Sequence, residues 1–545
     1  MARKLKRCLN ILMDFANLFK AFIGVNYLSI AFAIGQSGIA LGIIGLLLIA
    51  VATVHGCHLL IKCKRQVIQN IVRANFPIGS QSTDDDDGAH KRGLLCNIME
   101  KQLSYGDIAF MILGKFGTIL VNFSLVVTQF GFCVNYFIFL GNTFEKMFPY
   151  YLPSIDILES NSTTEVHVPS YDAFADEIQH LDDIHYASNS SPAAYIWPVS
   201  LVSRSPGYNI VVLIPLPLFI LFGYLRSVRL LGPVSVIANI SIFIGYVSML
   251  SYLLTDFCVA DSISWFKFDK LKTFPIFFGQ VTGSYEGIGT IVPIESSMDG
   301  NHHLFAPLLY LTIVVFTFVL GSMGFIGYLH LGDCTAQVLI WNLAPGSLLQ
   351  LLVSLVVCIG VVFTFPLQCF PVIEVFEELV FIKGKCCSSK PVSVNSDAEE
   401  DTTEVGVASS SQDDVGELQQ LLQDPEVTNI LEKLPVATQV PQSVSAWKRN
   451  ILRTTIVVAQ LGCAYAFKDQ FAYFSALTGA IGSTLLAFVI PALLHIKLKR
   501  QELGSFIIIK DVMLIIFGIV GGVSGVYASV LSIIQHTNTP CSASC

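Results

Sequence analysis

Residues 274–298 read FPIFFGQVTGSYEGIGTIVPIESSM, and the reading of this stretch decides the fold class. It is apolar enough to cross a bilayer, yet it carries Gly279, Gly283, Gly287, Gly289 and, near its middle, the carboxylate of Glu286. A helix that only anchors a protein uses Leu and Val at such places. Each glycine inside a helix costs about 1 kcal/mol against Ala. An ionisable group at bilayer depth is costly and is by default a functional candidate. A loosened helix beside a carboxyl group suits a small polar solute, because freed backbone N–H and C=O groups can bind a zwitterion. Burial penalises the charged form of a carboxyl group, which suits a reversible proton carrier. Glu286 is therefore the first candidate for proton coupling. Its alternative role is a protonated acid bonded to a neighbouring carbonyl.

The rest of the chain agrees with a membrane setting. Of 545 residues, 53% are hydrophobic and 13% charged, with a mean hydropathy of +0.64. Apolar runs recur at about 15–35, 38–61, 116–144, 208–225, 231–255, 274–294, 304–329, 347–382, 449–467, 471–496 and 505–535. They predict an all-α polytopic membrane protein with about eleven transmembrane helices. The boundary at 35–38 is soft, and Pro366 and Pro371 are expected to kink the long run ending at 382.

Basic clusters ARKLKR at 2–7, KCKR at 62–65, RSVR at 226–229 and KLKR at 497–500 fall on one side if the spans alternate. The positive-inside rule makes that side cytosolic. The expected organisation is a cytosolic N-terminus at 1–14 and a membrane domain at 15–382 with an extracytosolic loop at 148–206. A cytosolic insert at 383–446, further spans at 447–535 and an extracytosolic tail at 536–545 complete it. The loop holds two glycosylation triplets, at Asn161 and Asn189, which support its placement independently. The net charge of −8 concentrates in the insert, whose DAEED and QDD runs predict disorder. Nothing here points to nucleic acid. The sequence holds no GxSxG, HExxH, P-loop or CxxC array, so neither an enzyme, a cofactor nor a metal site is expected.

The first span also has a weak point. In FKAFIGVNYLSIAFAIGQSG at 19–38, Gly24, Asn26 and Ser29 interrupt an apolar run. Glycines alone also serve close helix packing. Two interruptions five spans apart, one beside a carboxylate, point instead to an inverted-repeat transporter with its site at the bilayer midplane.

Further stretches carry a resemblance. FFG at 277–279, EGIG at 286–289, Pro293, Glu295 and Met298 resemble the sixth helix of the proton-coupled amino acid transporters, within the amino acid/auxin permease family. VVTQFGFCVNYFIFLG at 126–141 resembles the third helix. Val54-His55, FPLQ at 365–368 and GAIGSTLLAFVIPALL at 479–494 are similar to the second, eighth and tenth. The resemblance implies an APC-superfamily, LeuT-like 5+5 inverted repeat with an added eleventh helix. It departs in the first helix, where the family's Gly-Thr-Gly run is Gly24-Val25-Asn26. Asn is the non-glycine residue that best tolerates positive φ, so the break is expected to persist there with a differently shaped pocket.

The reading is a proton-coupled symporter of small neutral amino acids working by alternating access. Candidate substrate residues are Gly24, Val25, Asn26, Gly283, Tyr285 and Tyr136, and His55 joins Glu286 as a candidate for proton coupling. Alternatives are an amino acid sensor signalling through the insert, or a transporter of another organic solute. The expected partners are a small amino acid, the proton, the lipid bilayer, and an adaptor or signalling protein at 384–446. ELQQLL at 417–422 has the form of an acidic dileucine sorting motif, with Glu417, Leu421 and Leu422 as its elements. Its alternative is an amphipathic segment docking on the protein's own inner face. Such motifs send proteins to endosomes and lysosomes, and the expected location is a lysosomal or endosomal membrane or the plasma membrane.

Overall fold

A computed structural model describes residues 2–76, 85–147, 207–225, 231–255, 257–265, 268–298, 302–344, 347–383, 444–499 and 504–535. Asn161, Asn189, Glu417, Leu421, Leu422 and the tail 536–545 lie outside the described residues. The described chain is helical throughout, as an all-α polytopic membrane protein should be.

The first span is broken where its sequence is weakest. Helix α1 (Ala2–Phe22) ends before Gly24, a tight 3-10 turn follows at Val25–Ser29, and α2 (Ile30–Ser37) resumes the span. The axis bends by 50° across this break. Gly38 then reverses the chain into α3 (Ile39–Asn75) with φ of +73°. Only glycine adopts this left-handed backbone cheaply. The turn is fixed by Ile39 and Ala40, whose N–H groups donate to the carbonyls of Ser264 and Trp265, each at 3.1 Å.

Beyond α3 the chain is helical again before the next span. Helix α4 (Asp85–Gln102) buries Leu95, Ile98 and Met99 against Ile68 of α3. Ser104 and Asp107 form a reciprocal capping box that starts α5 (Tyr105–Leu113). Helix α6 (Lys115–Met147) is followed, beyond residues 148–206, by the short apolar α7 (Tyr208–Gly223) and by α8 (Leu231–Leu254).

The glycine-rich stretch 274–298 is two helices. Helix α9 (Phe274–Ser284) stops at Tyr285, and α10 (Ile288–Ser297) starts after Gly287. Helices α11 (Phe305–Leu331), α12 (Leu348–Glu377), α13 (Ala446–Ala466), α14 (Phe471–Lys499) and α15 (Ser505–Gln535) complete the order. Helix α12 runs unbroken through Pro366 and Pro371 and ends in a π-helical turn at Glu378–Lys383. Helix α14 contains two π-helical stretches, Gly479–Ser483 and Leu485–Val489.

Among the described residues seven helices are long and apolar enough to cross a membrane, or eight with the bent first span counted as one. This is fewer than the eleven expected. The other three runs differ for physical reasons. Helix α7 is short, the 274–298 run is divided by its break, and α13 carries Lys448, Arg449 and Arg453 in its first half.

Helices α6 and α14 form the interior, each with 72% of its apolar window buried, against 22% for α15 and 33% for α8. The outer helices expose Phe243, Phe318, Phe506, Val520 and Val523 among many large apolar side chains. In water such a surface would aggregate, whereas in a bilayer it is the lipid-facing surface. Helix α9 lies against α14 without side chains between them. A Cβ on Gly479 would collide with the Gly279 carbonyl and stand 2.8 Å from the Gly283 nitrogen.

Candidate functional site

The two breaks meet. A side chain at Gly287, in the second break, would strike the Phe22 ring at 2.7 Å and the Ala21 carbonyl at 3.0 Å, at the end of α1. Beside Gly24 there is open space, with no heavy atom within 4 Å of where a Cβ would stand. The paired breaks therefore bring helix ends, and their unpaired backbone groups, to one place inside the protein.

Glu286 sits in the second break. It is 8% exposed, and neither carboxyl oxygen has a hydrogen-bond partner. Ser483, on the first π-helical stretch of α14, and the Gly289 backbone face it. The Ser483 hydroxyl is also buried without a partner. Buried polar atoms are almost always paired, so an unpaired carboxyl group beside an unpaired hydroxyl calls for an explanation, and it makes Glu286 the candidate for holding a ligand or proton.

The other candidates are distributed more widely. Val25 is buried and Asn26 half-buried within the 3-10 turn. Asn26 lies inside the 3-10 turn, whose backbone has negative φ, so the tolerance expected of Asn26 is not called on. Tyr285 is held against α11, its hydroxyl 2.7 Å from Thr317 Oγ1 and its ring edge-on to Phe316. Gly283 faces the Gly479 Cα at 3.3 Å from its Cβ position, which is helix packing. Tyr136 is buried on α6 beside Gln368 of α12.

His55 belongs to another cluster. Its Nε2 is 3.5 Å from Asp511 Oδ1 on α15, and Asp511 Oδ2 is 2.6 Å from His495 Nδ1 on α14. Sequence reading missed Asp511 and His495, although a charge inside the run 505–535 was a legible signal.

It also missed the ion pairs that brace the helices. Lys64 of α3 is fully buried, and its Nζ donates to Glu295 Oε2 at 2.8 Å and to Ser296 Oγ at 2.6 Å. Arg65 reaches the other oxygen of Glu295 at 2.8 Å, and Ser296 Oγ donates to the Glu100 carbonyl of α4 at 2.6 Å. Elsewhere Arg453 and Arg449 of α13 clamp Glu377 of α12 at 2.7 Å each, while Arg453 also donates to the Gly223 and Leu225 carbonyls. Among the described residues no group of three or more His, Cys, Asp or Glu is arranged to hold a metal ion.

Paired helix breaks around an unpartnered carboxylate have the form of a solute-transport site, and comparison with known proteins agrees. The profile described as "Transmembrane amino acid transporter protein" matches residues 8–76, 94–191 and 193–531. The chain belongs to this family. It is 24% identical to the amino acid transporter AVT3C of Arabidopsis thaliana over 526 residues, 95% of this chain and 90% of that one. It is 21% identical to the amino acid transporter ANT1 of the same plant, over 96% of this chain and 92% of that one. The vacuolar amino acid transporter 4 of Saccharomyces cerevisiae is 23% identical over 79% of this chain and 50% of its own length. Membership makes this transmembrane amino acid transporter family protein a carrier of amino acids in a membrane, not an enzyme.

Proposed function

We propose that the chain is a proton-coupled symporter of small neutral amino acids, working by alternating access within a LeuT-like 5+5 repeat. The observation that carries this reading is Glu286, buried and unpartnered where the two helix breaks meet. The amino acid lies in the open space beside Gly24. Its carboxylate faces the N–H groups that begin the 3-10 turn and α10, where helix dipoles favour negative charge. Its ammonium faces the carbonyls that end α1 and α9. Glu286 takes the coupled proton, or answers the ammonium once deprotonated. Binding both ligands favours one of two arrangements of the broken helices, and release to the other side follows their rocking. The basic clusters favour a cytosolic N-terminus. A relative named as vacuolar favours a lysosomal or other acidic intracellular membrane, whose proton-rich lumen would drive export to the cytosol.

The test is uptake into proteoliposomes holding the purified protein, with a panel of amino acids and an imposed pH gradient. Glycine, alanine or proline should accumulate when the loading side is acid, and Glu286→Gln should abolish accumulation. Uptake that ignores the gradient, or is confined to charged amino acids, overturns the reading.

A further inference from the structure

A second ionisable cluster lies away from the breaks. Asp511 is wholly buried in α15, inside an apolar run, with a histidine on either side from two different helices. A buried carboxylate without a counter-charge is too costly to persist at bilayer depth. A protonated His495 would supply that charge, and its Nδ1 stands 2.6 Å from Asp511 Oδ2, within hydrogen-bond distance. The ionised carboxylate can only accept, so Nδ1 carries the hydrogen.

The other side is unfinished. Asp511 Oδ1 and His55 Nε2 are 3.5 Å apart, and neither has a hydrogen-bond partner. His55 is also the most exposed of the three, at 24% of its side chain against 6% for His495 and none for Asp511. Protonated His55 carries a hydrogen on both ring nitrogens, so Nε2 then donates across the gap whichever tautomer the neutral ring holds. The cluster can thus hold two protonation states that differ in the charge, and in the certainty of a hydrogen bond, between α3 and α15. The other charged or titratable groups around it are His58, Lys62 and Cys63 of α3, Lys499 of α14 and Lys510 of α15. Three of these are lysines, so the lone carboxylate is outnumbered by cations and the second proton is held against them.

We propose that Asp511, seated between His495 and His55, is a proton-binding site distinct from Glu286, and that its occupancy decides whether α3 is tied to α15. The consequence reaches the breaks through α3 itself. About two and a half turns beyond His55 on the same helix, Lys64 is locked to Glu295 of α10. Helix α3 therefore joins the proton site to the helix that follows Glu286. This rests on the transport reading only in expecting an amino acid to be carried, and not on Glu286 taking a proton.

The experiment uses the full chain in liposomes and follows exchange of labelled alanine for unlabelled alanine, with the same pH on both faces. Exchange needs no gradient, so it reports on the cluster whether or not transport is proton-driven. Between about pH 5.5 and 7.5, where histidines titrate, wild-type exchange should change several-fold. Asp511→Asn and His495→Gln should flatten that response while exchange itself persists. The thermal midpoint of the purified protein, scanned over the same pH range without substrate, should show a pH-dependent component that both variants lose. If Asp511→Asn does not fold, His495→Gln and His55→Gln decide. Variants that keep the wild-type profile in both measurements overturn the proposal, as does a wild type with no pH response in either. A wild type that exchanges none of glycine, alanine or proline sinks the transport reading instead, and the midpoint scan then decides on Asp511 alone.

Discussion

Glu286 and Glu295 bracket the same short helix, and their surroundings are opposites. Both are almost wholly buried, at 8% and 3% exposed. Glu295 is met by Lys64, by Arg65 and, at 3.7 Å, by His302. Glu286 is met by no hydrogen-bond donor in good geometry. A carboxylate with its lone pairs filled by cations is committed to holding helices together. A carboxyl group left open beside a backbone break is free to change partner. The contrast separates bracing from function within one span, and it can be attacked from either end.

The largest effect is expected at the braced end. Glu295→Gln leaves the Lys64 ammonium buried without a counter-charge, a situation that costs about 3–5 kcal/mol. Thermal unfolding in detergent should register a clear drop in midpoint, and expression should fall with it. A stability equal to wild type would mean that Lys64 is not braced by Glu295.

Glu286→Gln should behave in the opposite way. The amide keeps the size of the acid and removes no contact seen in the structure, so the midpoint should stay within about 0.5 kcal/mol of wild type. Proton-driven accumulation should nevertheless disappear. A fall in stability comparable to that of Glu295→Gln would make Glu286 a structural residue and erase the contrast.

The comparison also shows what sequence could and could not deliver. Glu286 was legible because a carboxylate amid apolar residues needs a reason, and both breaks were legible because glycine and Asn interrupted apolar runs. Glu295 matched a family motif, but its brace was not legible, since Lys64 is 231 positions away and KCKR reads as a cytosolic flank. In the structure Lys64 is fully buried. Asp511 was passed over within an apolar run because its partners come from two other helices. Among the described residues fewer helices qualify as spans by length and composition than the eleven apolar runs, since an apolar run does not tell a continuous helix from a divided or shortened one. The resemblance implied glycine-like backbone at Asn26, whereas the break falls two residues earlier, at Gly24, and needs no positive φ there.

A smaller effect within the braced cluster tests whether its charges are equivalent. Arg65 meets Glu295 at the same 2.8 Å as Lys64, but its side chain is 46% exposed while that of Lys64 is not exposed at all. Water screens the exposed pair and resolvates either ion once the pair is broken. Arg65→Gln should therefore cost about 1 kcal/mol or less, against the much larger loss for Glu295→Gln. Equal losses would show that the cluster acts as one network rather than as a buried pair with a solvated satellite.

The smallest structural effect belongs to Gly24, and it bears most directly on where the solute sits. Its backbone is extended, at φ −145° and ψ −176°, a conformation open to any residue. A methyl group there meets no heavy atom within 4 Å. Gly24→Ala should accordingly leave the thermal midpoint unmoved, within about 0.5 kcal/mol. If the open space beside it holds the amino acid, the added methyl group takes up that space. The KM for alanine or proline should then rise several-fold while glycine, the smallest substrate, is affected least. The graded response separates occupation of the site from general damage, because a damaged helix would slow all three alike. Unchanged kinetics for every substrate would move the binding place away from the first break, leaving Glu286 and Ser483 to define it.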